Sequence, residues 1–308
     1  MKWLANSVLA ALCWDADIEQ SRDDKLNDNI IYRIGILTGI KTFPVVAGHV
    51  IALLNKPDFT VDEIADTIRK DPALAAGVLR LANSAFFSPS RRVVTLDQAF
   101  IRLGRDTVQE VVFAVATMKM FPSSYGPAKA IRDHCAATAA ISHAIAEYLE
   151  TTNKEIMFLS GLMHDIGKML IIDSGELSYC EKTLLETMQS DVSHSYEREK
   201  LGFDHAILAG QVLSKWKLDN QIVNIVAWHH LESLAYTDPK VGPSVAILRI
   251  ADQIETHLSF PIKTKEDFIT DMKSSADWNF LQPNDNFLDE IWETLVSSRD
   301  SALTLFAG

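Results

Sequence analysis

Helix start signals recur through the first third of the chain, and no other sequence feature constrains the fold as strongly. Thr60-Val-Asp-Glu63 and Thr95-Leu-Asp-Gln98 have the form of capping boxes, and Asp71-Pro72 joins an N-cap residue to a proline at the first helical position. Apolar residues at helical spacing follow each signal. Strand-like alternation is almost absent, and 13 glycines and 10 prolines in 308 residues leave few of the tight turns that a many-stranded fold needs. The sequence therefore predicts an all-α protein.

The helical pattern continues beyond a single strong interruption. Pro122-Ser-Ser-Tyr-Gly126-Pro127 combines residues that favour turns, and we expect a subdomain boundary there. Further helices are predicted over residues 128–150, 154–172, 177–189, 204–216, 219–232 and 242–257, with an acidic helix around 286–296. The predicted organisation has four parts: an N-terminal extension (1–29), a helical bundle (30–122), a second helical bundle (128–258) and a C-terminal helical appendage (259–308).

Charge argues against a nucleic-acid-binding protein. The chain carries 29 Lys+Arg and 41 Asp+Glu, which gives a net charge of −12 and a pI near 5.2, and this field repels a phosphate backbone. The helix after Asp71 would have to serve as the recognition helix of a helix-turn-helix, yet it offers only Arg80 and Asn83 to base edges. We therefore expect no nucleic acid partner.

Cysteine usage and hydropathy favour a cytoplasmic protein without a membrane partner. Cys13, Cys135 and Cys180 show no CxxC spacing, so neither a disulfide framework nor a thiolate zinc site is predicted. No apolar stretch reaches the ~20 residues of a membrane span. We interpret the short apolar run 3–14 as a docked amphipathic helix, with a cleaved signal as the less favoured alternative.

Seven of the nine histidines lie between residues 134 and 230, and helical phase separates their positions. His134 shares a face with Ile141 and Ile145, at a rotation of ~100° per residue, and is predicted to face the core. His143 lies half a turn out of phase, so we expect it to face solvent and to have no functional role. Three more histidines and one carboxylate lie on or beside apolar stripes: His205, His229, His230 and Asp252.

Residues 161–168, Gly-Leu-Met-His-Asp-Ile-Gly-Lys, place an adjacent His-Asp pair in a helix that keeps two glycines. Because glycine costs roughly 1 kcal/mol against alanine inside a helix, we expect the two glycines to leave space beside the helix backbone for another group. Any one inward histidine is explained as a hydrogen-bonded core residue. The whole set favours a metal site, since imidazole and carboxylate ligands suit Fe, Mn, Ni or Zn. The predicted metal ligands are His134, His164, Asp165, His205, His229, His230 and Asp252.

Asp165 and Lys168 are the predicted catalytic residues. Asp165 can offer one carboxylate oxygen to each ion of a pair ~3.5–4 Å apart. Lys168 lies one turn beyond His164 and would direct a positive charge towards a phosphate. The predicted cofactor is therefore a pair of divalent transition metal ions.

Part of this ligand set resembles the metal signature of the HD superfamily of metal-dependent phosphohydrolases. The matching residues, in order, are His134, His164, Asp165 and Asp252. The additional histidines resemble further ligands of the HD-GYP branch, whose members hydrolyse cyclic di-GMP at a dinuclear or trinuclear site. The likeness to that branch stops after His230, where its Asp-Gly-x-Gly-Tyr-Pro stretch is absent, and at Ala130, where trinuclear members carry an acidic residue.

The upstream half resembles a narrower family. Residues 71–84 (Asp-Pro-Ala-Leu-Ala-Ala-Gly-Val-Leu-Arg-Leu-Ala-Asn-Ser) and 95–104 (Thr-Leu-Asp-Gln-Ala-Phe-Ile-Arg-Leu-Gly) are similar to HDOD domains, the HD-related output domains of bacterial signalling proteins. The similarity covers about residues 35–258. It implies an N-terminal HDOD helical subdomain packed on an HD-like subdomain that contains the metal site.

The resemblance implies two classes of function. A signal-output module works by presenting a surface that changes with an upstream input, and many HDOD domains have lost metal ligands. A metal-dependent phosphohydrolase would act on a nucleotide or another phosphoester. One ion would then be held by His134, His164, Asp165 and Asp252, and the other by Asp165, His205, His229 and His230. No sensor, receiver or cyclase domain is recognisable, so we expect the input from a signalling protein partner or a small phosphorylated ligand.

Overall fold

The computed structural model describes residues 35, 43–84, 86–87, 92–120, 126–175 and 193–306, apart from the side chains of Asp106 and Glu110. All regular structure within these ranges is helical, which confirms the all-α prediction. The predicted helix 177–189 and the predicted extension 1–29 lie outside the described residues. In chain order the helices are α1 (Val45–Leu54), α2 (Val61–Arg69), α3 (Pro72–Ala82), α4 (Leu96–Met120), α5 (Gly126–Leu149), α6 (Lys154–Met163), α7 (Ile166–Ser174), α8 (Ser193–Leu201), α9 (His205–Lys215), α10 (Asn220–Trp228), α11 (Glu232–Ala235), α12 (Gly242–Ser259), α13 (Lys265–Lys273), α14 (Ala276–Leu281) and α15 (Phe287–Phe306).

Local capping starts two helices of the N-terminal bundle (α1–α4), namely α2 and α3, where the sequence predicts it. The Thr60 hydroxyl accepts a hydrogen bond from the Glu63 N–H, and the Glu63 carboxylate accepts one from the Thr60 N–H, which completes a capping box. The Asp71 carboxylate accepts hydrogen bonds from two N–H groups in the first turn of α3. These bonds satisfy donors that have no partner inside the helix, so each start is fixed locally.

Helix α4 departs from the predicted pattern at two places. The Thr95 hydroxyl accepts from the Gln98 N–H, but the Gln98 side chain accepts from the Val94 N–H, one residue before the cap, so the second capping box is only half formed. Gly104 has a φ of 77°, a left-handed conformation that favours glycine, and it kinks the helix. The part of α4 beyond the kink packs against α3 and the first helices through a continuous apolar core.

We call helices α5–α12 the second bundle, and α5, at its centre, is buried on most sides. It contacts α6, α12 and α15. Small side chains permit these close approaches, because Ala136, Ala139 and Ala140 are inaccessible to solvent. A Cβ on Gly161 of α6 would lie 2.6 Å from the Ala139 Cα. The room expected around Gly161 is therefore room for the backbone of α5.

The prediction that His143 faces solvent is wrong. Its side chain is 5 % exposed, and its ring packs edge-on against Phe86 and Phe158 at centroid distances of 5.7 and 6.3 Å. Helical phase predicts exposure only for a helix with one buried face. Phe86, which follows α3 in the chain, packs against the face of α5 that phase assigns to solvent.

Two long predicted helices are each broken by a turn. The predicted helix 154–172 divides into α6 and α7 at His164-Asp165, and the predicted helix 219–232 divides into α10 and α11 at His229-His230. Apolar spacing continues across both turns, so periodicity cannot detect them. Each break places two adjacent predicted ligands at a turn, where neighbouring side chains can enter the same site.

The C-terminal helices α13–α15, in the segment expected to be an appendage, contribute buried side chains to the second bundle. Phe287, Leu288 and Leu295 are inaccessible and belong to the same apolar cluster as residues of α5 and α12. At the end of α15, Leu305 and Phe306 pack against the core that includes the N-terminal bundle. None of the described helices has the length and apolar content needed to cross a lipid bilayer.

Candidate metal centre

Four of the predicted ligands meet between α5, the α6–α7 turn and α12. His134 Nε2 lies 2.9 Å from Asp252 Oδ1 and 3.9 Å from Asp165 Oδ2. His164 Nε2 lies 3.5 Å from Asp165 Oδ2 and 3.9 Å from the same Asp252 oxygen. Three of these side chains are buried, whereas that of Asp252 is 21 % exposed. We call these four residues the carboxylate-rich half of the site.

The other three predicted ligands, His205, His229 and His230, meet where α9 begins and α10 ends, and we call them the histidine-rich half. His205 Nε2 lies 3.0 Å from His230 Nε2, and the ring centroids of His229 and His230 are 4.0 Å apart. One nitrogen from each of the three rings lies within 4.8 Å of the other two. His205 Nε2 is also 3.1 Å from Asp165 Oδ1. Asp165 therefore presents one oxygen to each half.

Backbone contact brings the two halves together. A Cβ on Gly167 would lie 2.0 Å from the carbonyl oxygen of His205, so only glycine lets α7 touch the start of α9 at this point. The contact holds Asp165, two residues before Gly167, beside His205. The second glycine of residues 161–168, like the first, thus makes room for a neighbouring backbone.

Hydrogen bonds to the main chain orient two of the histidines. His164 Nδ1 lies 2.7 Å from the Gly161 carbonyl oxygen, and His229 Nδ1 lies 2.7 Å from that of Val226. Since a carbonyl oxygen only accepts, each Nδ1 carries the proton and each Nε2 keeps its lone pair. Both Nε2 atoms are buried and have no hydrogen-bond partner among the described residues. A backbone-anchored imidazole with a buried, unpaired lone pair is the arrangement found in metal ligands, so these residues fit an ion.

Burial and neighbouring charges set the protonation of the site. Burial alone would raise the pKa of Asp165, but the charged Lys168 and His205 hold it well below its usual range, so the carboxylate is ionised. Burial and the nearby imidazoles hold the pKa values of His229 and His230 well below the usual range of histidine. These two rings are therefore neutral, which is the form that binds a metal.

Lys168 is paired with Asp165. Its Nζ donates to Asp165 Oδ2 at 2.7 Å, and both side chains are buried. Burial would lower the pKa of Lys168, but Asp165 raises it, so the ammonium group stays charged. The positive charge predicted near a phosphate therefore lies within the site and compensates one of its carboxylates.

Sequence reasoning missed Glu197, a buried residue of α8. Its carboxylate accepts a hydrogen bond from the His205 N–H at 2.6 Å and lies 2.7 Å from His205 Nδ1. Burial would lower the pKa of His205, but Glu197 and Asp165 raise it to about 9. A carboxylate behind a ligating imidazole fixes its orientation. No signal in the sequence distinguished Glu197, because its charged neighbours give residues 193–201 the pattern of a solvated surface.

Helix α8 holds a second missed neighbour of the site. The His194 ring stacks on that of His230, with centroids 4.3 Å apart and planes inclined by 15°. On the same helix Arg198 forms an ion pair with the buried Asp204 at 2.7 Å, and Asp204 caps α9 through the Ile207 N–H. These contacts tie α8 to the start of α9, where His205 lies.

The helical fold and the buried His/Asp site together define a protein of the HD type. The chain belongs to the HDOD domain family, which its sequence matches over residues 40–232. An uncharacterised protein of Treponema pallidum (strain Nichols) is 20 % identical over 236 residues, which cover 76 % of this chain and 45 % of that protein. This chain thus spans less than half the length of that relative.

Two solved structures share the fold. An HDOD domain protein of unknown function from Geobacter sulfurreducens has a TM-score of 0.66 at 22 % identity, over 91 % of this chain and 99 % of that one. A protein from Shewanella amazonensis SB2B, described as a candidate phosphohydrolase, has a TM-score of 0.68 at 22 % identity, over 90 % of this chain and 98 % of that one. At these identities the likeness establishes the fold.

Proposed function

We propose that this protein is a metal-binding HDOD regulatory protein. The observation that carries the proposal is the pair of buried Nε2 lone pairs on His164 and His229, each oriented by an Nδ1 hydrogen bond to the main chain. The mixture of imidazole and carboxylate groups suits Fe, Mn, Ni or Zn. The carboxylate-rich half would hold one ion, and the histidine-rich half, with Asp165, would hold a second.

Such a centre would join segments that are distant in the chain. The ligands lie between residues 134 and 252 and come from α5, the α6–α7 turn, α9, the end of α10 and α12. Occupancy would therefore control how firmly these helices are held together, and a surface that they form would respond to it. The resemblance to signalling output domains supports this use, with the input supplied by a signalling protein partner or a small phosphorylated ligand.

Metal content tests the proposal directly. Protein purified without chelator is expected to contain about two equivalents of transition metal by elemental analysis, and Asp252→Asn is expected to lower this number. His257→Gln, five residues further along α12 and stacked on Phe268, is the matched control and should retain the wild-type content. Negligible metal in all three proteins would contradict the proposal. Removal of the metal is also expected to speed amide hydrogen exchange in α9, α10 and α12.

The position of Asp165 favours a second function, hydrolysis of a phosphoester. Asp165 lies between the two halves with one oxygen towards each, as a bridging ligand would. When bound, a pair of divalent ions supplies Lewis-acid chemistry for phosphoester hydrolysis. Lys168 would add positive charge where a phosphoryl group gains negative charge. Asp252, the most exposed side chain of the centre, marks the side from which a substrate would enter. The name of the Shewanella relative is consistent with this chemistry.

A substrate panel separates the two functions. Cyclic dinucleotides, nucleoside phosphates and an aryl phosphate would be tested with Mn, Fe(II), Ni and Zn. Turnover that is lost in both His164→Ala and Asp165→Ala, but kept in His257→Ala, would establish catalysis. Bound metal without turnover of any substrate would support the regulatory function alone.

A further inference from the structure

A cleft separate from the metal centre lies between the two helical bundles. It is bounded by α3, the end of α4, the start of α5 and the end of α15, and it holds about 120 Å³ of space. A single water needs about 10–15 Å³ of such space, so a small organic molecule fits. Arg132, which lines the cleft, is two residues before His134 on α5, about 200° around the helix axis. The cleft is therefore on the side of α5 away from the metal centre.

Three positively charged side chains, Arg80, Lys119 and Arg132, line this cleft in a protein whose net charge is −12. Lys119 Nζ lies 3.3 Å from Asp71 Oδ1, so that charge is compensated. Within the described part of the chain, no carboxylate forms an ion pair with Arg80 or Arg132. The exposed Arg80 and the half-buried Arg132 therefore both offer a guanidinium group without a carboxylate partner at the cleft.

Arg132 also carries a donor that lacks an acceptor. Its Nε is buried and has no hydrogen-bond partner among the described residues. A buried N–H without an acceptor loses its hydrogen bond to water and gains nothing in return. Guanidinium groups bind phosphate and carboxylate oxygens with two parallel hydrogen bonds, so an anionic ligand of the cleft would give Arg132 acceptors that the described residues do not supply.

The remaining wall of the cleft is apolar. Leu81, Met118, Leu305 and Phe306 face the same space as the two arginines. A bare inorganic anion would leave this surface in contact with water. A ligand with an apolar body attached to its anionic group would cover both surfaces at once.

We propose that this cleft binds a small organic phosphate monoester with an apolar body. A phosphate monoester carries about −1.5 to −2 charges at pH 7, which matches two uncompensated guanidinium groups better than a carboxylate does. The phosphate contacts Arg80 and Arg132, and the apolar body contacts Met118 and Phe306. The site uses no predicted metal ligand, so it does not depend on the proposed metal centre.

Isothermal titration calorimetry of the 308-residue chain with phenylphosphonate tests this site. The probe joins an aromatic ring to a phosphonate that cannot be hydrolysed, so phosphohydrolase activity would not consume it. We expect saturable binding by the wild type and binding roughly ten-fold weaker or more in Arg80→Gln and Arg132→Gln. Lys129→Gln removes a charge one turn before Arg132, where the lysine pairs with Asp133 outside the cleft. This control should bind within about two-fold of the wild type.

A cleft-filling variant keeps the test decisive if the arginine variants fail to fold. Ala73→Trp fills the cleft from the exposed first turn of α3 without a change in charge, and it should abolish binding while circular dichroism and Tm stay close to wild type. Unchanged affinity in Arg132→Gln, no saturable binding by the wild type, or binding that disappears with EDTA would overturn the proposal.

Three simpler probes test the parts of the ligand. Benzyl alcohol lacks the anion, inorganic phosphate lacks the apolar body, and benzoate carries a carboxylate in place of the phosphonate. Each is expected to bind more weakly than phenylphosphonate. Equal or tighter binding of benzoate would overturn the assignment to a phosphate, and equal binding of inorganic phosphate or benzyl alcohol would overturn the requirement for both parts.

Discussion

The two halves of the proposed metal centre share Asp165 but compensate buried charge differently. In the carboxylate-rich half, burial would lower the pKa of His134, yet Asp252 at 2.9 Å raises it, so this carboxylate stabilises the charged form of the histidine. In the histidine-rich half, burial and adjacent imidazoles keep His229 and His230 neutral. Only His205, beside Glu197, has a raised pKa there.

This difference predicts which half would depend more on a bound ion. Carboxylates and a histidine can replace metal contacts with ion pairs, so the carboxylate-rich half keeps favourable interactions when no ion is bound. In the histidine-rich half, His205 pairs with Glu197 and Asp165, but the buried Nε2 of His229 has no hydrogen-bond partner among the described residues to replace an ion. Metal preference should differ as well, because carboxylate oxygens suit Mn, whereas imidazoles suit Zn and Ni.

Asp165→Asn should have the largest effect, because this residue belongs to both halves. We expect metal content to fall to near zero and the free energy of unfolding to drop by about 3–5 kcal/mol, since Lys168 becomes a buried charge without its partner. Elemental analysis and urea unfolding measure the two effects. Adding Lys168→Met should restore much of the stability but no metal. Asp133→Asn, at a partly exposed ion pair, should change stability by at most about 1 kcal/mol.

Replacing one histidine in each half tests whether the halves are separate sites. His134→Gln and His229→Gln should each leave about one metal equivalent per chain, because each removes a ligand from only one proposed ion. Dialysis followed by elemental analysis gives the count, and the ion retained by His134→Gln should show the stronger preference for Zn or Ni. If either substitution removes both ions, the halves act as a single site, and the division of the centre into two separate halves is wrong.

Glu197→Gln should affect the histidine-rich half alone and more weakly. The substitution keeps the size of the side chain but removes the charge that orients His205, so affinity for one ion should fall by roughly 10–100-fold. Competition with a chelator of known affinity measures this loss, while the other ion should dissociate as in the wild type. Glu199→Gln, on the exposed face of α8, is the control and should leave both affinities unchanged.

His143→Gln should have the smallest effect and leave metal content unchanged, because this buried histidine is outside both halves. Burial holds the pKa of His143 below 6.5, with smaller effects from Glu147, Lys154 and Glu155. The unfolded state therefore binds the extra proton, and stability is lost as the pH falls below about 6.5. Urea unfolding should be measured between about pH 5 and 8, where histidine titrates. The free energy of unfolding should fall less steeply with falling pH in the variant than in the wild type. The same pH slope in the variant and the wild type would contradict this prediction.

Local chemistry made the N-terminal bundle predictable. The caps at Thr60 and Asp71 use residues three positions apart or fewer, so their hydrogen bonds form whatever surrounds them. The capping box at Thr95 is half formed because Gln98 reaches one residue further back. Phase analysis correctly placed His134 in the core but failed for His143, since it cannot reveal a second layer of packing.

The sequence by itself determined the helical class, the family and the seven predicted ligands, because residue type and spacing along the chain carry that information. Only the tertiary structure decided how they meet. It broke two helices at His164-Asp165 and His229-His230, pressed Gly167 against the backbone of His205, and placed Glu197 behind the same histidine. These features depend on contacts between segments far apart in sequence. Those contacts set the free energy of packing and of burying charge, and this free energy outweighs local helix propensity.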